Sequence, residues 1–179
     1  MSNFEVIDSS LIYKGKAFSF YSDKIKFNGK VMVKDYVLYP EAVAIIPFLG
    51  DDKFILIKQF RYSVKEDIFE IPAGKLEIGE DVLEGAVREL EEETGYKANK
   101  VRKIYEYYPA VGYSSEKIHI VFAEDLEETV KNLDEDEFTD VHVFSYRDIV
   151  SMIMENKIKD AKTVLAFLLI SKLGGFHEV

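Results

Sequence analysis

The stretch Gly74-Lys-Leu-Glu-Ile-Gly-Glu-Asp-Val-Leu-Glu-Gly-Ala-Val-Arg-Glu-Leu-Glu-Glu-Glu-Thr-Gly-Tyr96 decides how the rest of this chain is read. Pro72-Ala-Gly interrupts the strand-like pattern before it, and the spacing predicts a helix from about Asp81 to Thr94 that Gly95 ends as a left-handed C-cap. Four of the five residues from 89 to 93 are glutamates. At about 100° per residue, Glu89 and Glu93 lie about 40° apart on one face, Glu92 lies about 60° to the other side of Glu89, and Glu91 points away. Three acids can therefore share one site. Val82, Leu83, Ala86, Val87 and Leu90 form an apolar stripe beside them, so one flank can pack on a sheet while the acids line a cleft rim. Like charges this close repel unless a cation intervenes, and hard carboxylate oxygens suit magnesium shared with substrate phosphates. Arg88 stands four residues before Glu92, where an i,i+4 pair could orient that carboxylate. Taken alone, a glutamate-rich helix is an ordinary solvated face; the flanks and the spacing of the whole block decide otherwise.

Outward from the helix, β signals dominate. Tyr13 to Tyr39 carries short alternating stretches around Asn28-Gly29, a hairpin signal that predicts a small antiparallel sheet. Ala42 to Leu49 and Phe54 to Phe60, separated by Gly50-Asp51-Asp52, read as central strands. Lys103 to Tyr108, Lys117 to Ala123 and Asp140 to Phe144 favour extended structure, with Pro109 to Ser115 as a loop and Glu124 to Asp136 as an acidic stretch. Ser145 is placed to cap a helix over Tyr146 to Glu155, and Lys162 to Leu173 shows helical apolar spacing. Without a strict βαβ repeat, this order predicts an α/β chain of the α+β kind, a mixed sheet sandwiched by helices.

Composition narrows the function. A chain of 179 residues, 47% hydrophobic, can bury one sizeable core. A formal charge of −10 argues against nucleic acid as the main partner, because neutralising phosphates needs a basic face. No basic segment followed by an apolar core opens the chain, and the longest apolar run, Val164 to Ile170, is too short to cross a bilayer, so a cytoplasmic protein is expected. The absence of cysteine removes disulfides, thiolate metal sites and cysteine nucleophiles. Any metal must then be held by oxygen or histidine. His119 and His142 sit within strand-like alternation and His177 near a terminus, where structural or exposed roles are expected.

The block Gly74, five residues, Glu80, seven residues, Arg88-Glu89-Leu90, one residue, Glu92-Glu93, one residue, Gly95 resembles the Nudix box at every fixed position. Only Tyr96 departs, where the family usually has an aliphatic residue. Gln59-Phe-Arg-Tyr, Glu70-Ile-Pro-Ala-Gly-Lys-Leu-Glu, Gly112-Tyr-Ser-Ser-Glu and Lys157-Ile-Lys-Asp-Ala-Lys-Thr are similar to the ADP-ribose pyrophosphatase branch. Val111 departs from the proline common there, with Pro109 two residues earlier.

The resemblance implies a Nudix-type α/β/α sandwich over 41–179 and a small N-terminal antiparallel sheet over 1–40 that forms a homodimer. It implies hydrolysis of a small nucleotide substrate, ADP-ribose or a related nucleoside diphosphate sugar, with magnesium as cofactor and manganese as a possible substitute. Residue by residue, Glu89 and Glu93 match the principal metal ligands, Glu92 an additional one and the Ala73 carbonyl a backbone ligand. Arg61 matches a phosphate-contacting arginine, and Glu116 an acid in a loop facing the substrate. Glu135 and Glu137, on the acidic loop before Asp140, are the candidates for general base, with Glu92 or Glu116 next; Glu80 and Arg88 brace the loop and helix. Two other readings stay open: a Nudix hydrolase of another specificity, such as a GDP-sugar, a dinucleoside polyphosphate or an oxidised nucleotide, and a non-catalytic nucleotide sensor.

Overall fold

The computed structural model describes residues 4–132 and 138–173. The chain forms two compact units, one of residues 1–41 with 107–117 and the other of 42–106 with 118–179. In the first, β1 (Phe4–Lys14), β2 (Ser19–Phe27) and β3 (Lys30–Leu38) make an antiparallel sheet in that order. Phe27 pairs with Lys30 across Asn28-Gly29, and both turn residues have positive φ, as the hairpin signal requires. The 107–117 segment adds to this unit through β3: Val37 N–H donates to the Tyr113 carbonyl at 2.7 Å and Ser115 N–H to the Val37 carbonyl at 3.0 Å. β1 was not anticipated, because Asp8-Ser-Ser interrupts its alternation and almost all of its side chains are exposed.

The second unit is built on β4 (Ala42–Gly50), β5 (Lys53–Arg61), β6 (Glu66–Glu70), β7 (Ala73–Lys75), α1 (Val82–Thr94), β8 (Tyr96–Tyr107), β9 (Ile118–Glu128), β10 (Thr139–Ser145), α2 (Tyr146–Met154) and α3 (Ala161–Leu173). Its sheet runs β10-β5-β4-β9-β8, with β6 on β5 and β7 on β4. β4 pairs parallel with β9 and antiparallel with β5 and β7, so the sheet is mixed as expected.

Alternation along the central strands divides the core. Val43 and Ile45 of β4 and Val121 and Ala123 of β9 bury against Ala86 and Leu90 of α1. On the opposite face, Phe54 packs edge-on to Phe167 of α3 at 5.3 Å between ring centroids and lies 6.4 Å from Tyr146 of α2. Both faces are covered, which explains why β4 and β5 read as near-continuous apolar runs.

Local chemistry sets the helix ends. Asp81 caps α1 by accepting from Leu83 N–H at 2.8 Å, and Gly95, at φ 73°, turns the chain out of the helix. Ser145 and Asp148 form a reciprocal capping box at the start of α2. Two boundaries differ from the sequence expectation. β8 begins at Tyr96 rather than Lys103, because Ala98 and Val101 reach the core between lysines that hide the alternation, and β9 continues to Glu128 because Leu126 packs on the same cluster. Val87, expected in the apolar stripe, lines an open cleft beside α1 instead.

Leu90 is wholly buried between α1 and the sheet. Leu90→Ala is expected to lower stability by about 2–5 kcal/mol, the usual cost of emptying such a site, read as a shifted denaturant midpoint.

Candidate active site

Arg88 is the hub of the loop and helix. Its Nε and Nη2 donate to the two carboxylate oxygens of Glu80 at 2.8 and 3.0 Å, and Nη1 donates to Glu89 at 2.8 Å and Glu92 at 2.9 Å. Nη2 also reaches the Lys75 carbonyl at 3.2 Å. Hydrogen bonding to Glu80 raises the guanidinium pKa further above its ordinary value despite partial burial, and the same bond holds the Glu80 carboxyl below the usual range. The expected bracing role thus has a geometry: one cation ties the 75–80 loop to two successive faces of the helix.

Glu93 is treated differently. It is only 3% exposed, so it lies inside the rim rather than on it, and its Oε2 accepts from Ala73 N–H at 2.9 Å. Glu89 approaches the adjacent residue: a Cβ on Gly74 would fall 2.0 Å from the Glu89 carboxylate carbon. The two acids therefore meet adjacent residues of one strand, Glu93 at the Ala73 N–H and Glu89 at the space beside Gly74 that a side chain there would fill. Glu91 lines the open cleft with Val87 and Glu84, away from these residues; Glu92 shares that cleft while pairing with Arg88.

As the side chains stand, no three His, Asp or Glu among the described residues converge in an ion-holding group. Glu89 and Glu92 are engaged with Arg88, and Glu93 with Ala73 N–H. The donor set nevertheless fits a hard divalent cation, since the Glu93 and Glu89 carboxylates meet the adjacent residues Ala73 and Gly74 and neither sulfur nor imidazole is among the candidate ligands.

Arg61 is held by Glu70, Nε to Oε1 at 2.6 Å and Nη2 to Oε2 at 2.8 Å. Burial alone would raise the Glu70 carboxyl, but Arg61 and Lys162 keep it below the ordinary value, while Glu70 and, through space, Glu93 raise Arg61. Of the α1 acids, Glu93 thus acts on Arg61 through space. Glu116 belongs to the first compact unit, where its N–H donates to Ser114 Oγ at 3.1 Å. Glu135 and Glu137 lie outside the described residues. The backbone on either side of them is tied to the end of α1: Thr129 N–H donates to the Gly95 carbonyl at 2.7 Å, Asn132 N–H to the Glu92 carbonyl at 3.2 Å, and Thr139 Oγ1 to the Glu93 carbonyl at 3.0 Å.

His119 is buried with Nδ1 3.4 Å from Glu106, and His142 stacks on Phe144, so both serve the sheet. Gln59 was not singled out from the sequence. It is paired with Thr139 across β5 and β10, two residues before Arg61, and its Oε1 is buried with no hydrogen-bond partner among the described residues. Its position in the quoted Gln59-Phe-Arg-Tyr stretch was the available signal.

A family model for the NUDIX domain matches residues 38–167. The chain is 39% identical over 165 residues to an ADP-ribose pyrophosphatase of Bacillus subtilis (strain 168), covering 90% of this chain and 89% of that one. It is 36% identical, with the same coverage, to a methanol dehydrogenase activator of Bacillus methanolicus. Among solved structures, an ADP compounds hydrolase superposes with a TM-score of 0.86 at 28% identity, covering 98% of this chain and 97% of that one.

Because a methyl group on Gly74 would collide with the Glu89 carboxylate, Gly74→Ala is expected to weaken manganese binding by about 10-fold or more in a calorimetric titration, with circular dichroism unchanged.

Proposed function

The chain belongs to the Nudix family and is a Nudix hydrolase, and from that premise we propose that it cleaves the diphosphate of ADP-ribose to AMP and ribose 5-phosphate with magnesium as its metal. The observation that carries this reading is the meeting of Glu93 and Glu89 with the adjacent residues Ala73 and Gly74, with Glu89 braced by Arg88. The choice of ADP-ribose is supported by the Bacillus subtilis relative.

Glu89, Glu92, Glu93 and the Ala73 carbonyl would hold the metal, which when bound supplies positive charge to the diphosphate oxygens and acidifies water. Glu135 or Glu137 accepts the proton of the water that attacks phosphorus, the phosphorus–oxygen bond breaks, and the departing phosphate takes the electron pair. The attachment of Thr129, Asn132 and Thr139 to the last turn of α1 supports a base on that loop, because both ends of the segment start beside Glu92 and Glu93. Arg61, fixed on one edge by Glu70, offers its other N–H groups to a phosphate. Arg88 orients Glu89 and Glu92 through its ion pairs with them. Glu116 is retained as a substrate-side acid. The cytoplasm is the compartment in which such a nucleotide would be met; among the described residues no helix is long and apolar enough to cross a membrane.

A substrate panel of ADP-ribose, GDP-mannose, dinucleoside polyphosphates and oxidised nucleoside triphosphates, read as phosphate released after phosphatase coupling, tests the specificity. ADP-ribose should give the highest kcat/KM, whereas ADP-ribose binding without turnover would favour the sensor reading. Glu93→Gln should abolish hydrolysis and Glu91→Gln should be nearly silent. Glu135→Gln should lower kcat by about 10²-fold with KM little changed; near-normal kcat in both the Glu135 and Glu137 variants would move the base to Glu116 or Glu92.

We also propose a homodimer formed through the N-terminal sheet. Phe4 and Val6, which face the same side of that sheet as Ile25, Phe27 and Met32, are 62% and 51% exposed, more apolar surface than a small sheet keeps in water. Light scattering at micromolar concentration should give twice the chain mass, and a fully active monomer would remove the dimer.

A further inference from the structure

The segment from Glu70 to Ala73 delivers residues 73 and 74 to Glu93 and Glu89, and it is fixed by β4, α1 and α3. Pro72 accepts at its carbonyl from Ile45 N–H of β4 at 2.8 Å, and Ala73 N–H donates to Glu93 of α1 at 2.9 Å. The other two are fixed by the start of α3. Lys162 pairs with the Glu70 carboxylate, and Ile71 N–H donates to Thr163 Oγ1 at 2.9 Å across 92 residues of sequence. This is the Lys157-to-Thr163 stretch to which the proposed chemistry gives no part.

The Thr163 contact is directional. Thr163 is wholly buried, and its hydroxyl has one proton, which it donates to Asp160 Oδ2 at 2.5 Å. Its own N–H donates to the same oxygen at 3.0 Å, and Lys162 holds the other oxygen of Asp160 at 3.0 Å. With the proton committed, only the lone pairs of Oγ1 can face Ile71 N–H. Asp160 therefore sets the hydroxyl, the hydroxyl sets Ile71, and Ile71 is two residues from the backbone that meets both acids.

We propose that Thr163 is a positioning residue for divalent-ion binding, acting through Ile71 on the Ala73–Gly74 peptide without touching the ion. The inference rests on the reading that Ala73, Glu89 and Glu93 hold that ion. A buried threonine that only stabilises the fold would contribute its hydrogen bonds to stability and leave ion affinity alone, which gives the test its two axes.

Manganese binding is measured by electron paramagnetic resonance without substrate, beside the melting temperature, for Thr163→Val, Thr163→Ser and Asp160→Asn. Thr163→Val keeps the shape and removes the hydroxyl; it should weaken manganese binding about 10-fold or more, the usual effect of losing a group that orients a ligand. Thr163→Ser should restore affinity to within about twofold, because the hydroxyl returns. Asp160→Asn, which leaves an oxygen for Thr163, should weaken binding less than Thr163→Val and keeps the question answerable if Thr163→Val does not fold. A lowered melting temperature with manganese affinity unchanged in Thr163→Val, or in Asp160→Asn where that is the folded variant, overturns the positioning role while leaving the metal reading intact. Failure of the unsubstituted protein to bind manganese overturns the metal reading and the inference with it.

Discussion

Four glutamates crowded into the last turns of one helix repel each other, and the architecture around α1 answers that repulsion. Arg88 is the chain's own share of the answer: its guanidinium cannot be deprotonated and presents donors in a fixed fork, so it serves Glu80, Glu89 and Glu92 together. A lysine could neutralise one of these acids but could not match the two oxygens of Glu80 while also facing the helix. Of the two glutamates in these turns that Arg88 does not reach, Glu91 lines the open cleft and Glu93 turns to a backbone N–H and the interior. Charge thus ties the 75–80 loop to the helix through Arg88, while sterics keep a side chain off residue 74, where a Cβ would strike the Glu89 carboxylate.

Much of this was legible in the sequence because it rests on local rules. The bounds of α1 follow from an Asp cap, a glycine stop and a 3.6-residue apolar period, and the first hairpin from Asn28-Gly29. Facing of the acids was legible too, because helical spacing alone separates Glu91 from Glu89 and Glu93. Their depth was not. Glu93 is buried because Ala73 N–H and Thr139 come to it from distant strands, and no periodicity within α1 encodes that. The same holds for Lys162 and Thr163, which read as one polar edge of a helix until the fold sets them against Glu70 and Ile71. β1 and the first half of β8 were obscured for a simpler reason. Their polar residues break the alternation that marks a strand, because little of either is buried.

Arg61 and Arg88 make a useful contrast. Both are anchored bidentately by a glutamate, Arg61 by a carboxylate that is almost wholly buried and Arg88 by one nearer the surface. Anchoring costs each arginine side-chain freedom once, on folding, so its remaining donors are already oriented. Those of Arg88 hold two acids of α1, whereas the Arg61 side chain stays 41% exposed.

The parallel pairing of β4 with β9 has a consequence for how the molecule forms. Ala42 lies beside Ile118, and the intervening chain contains the hairpin of β5 and β6, the loop, the whole of α1 and β8. A contact of such long sequence separation must meet its loop-closure entropy before it returns any stability, and parallel pairings are slow for that reason. Until β9 arrives, the buried flank of α1 lacks Val121 and Ala123, so the acid cluster rests on a half-made core. The acid-bearing helix is therefore secured late, and a nascent chain released before β9 has been synthesised would display its apolar stripe to solvent and to other chains.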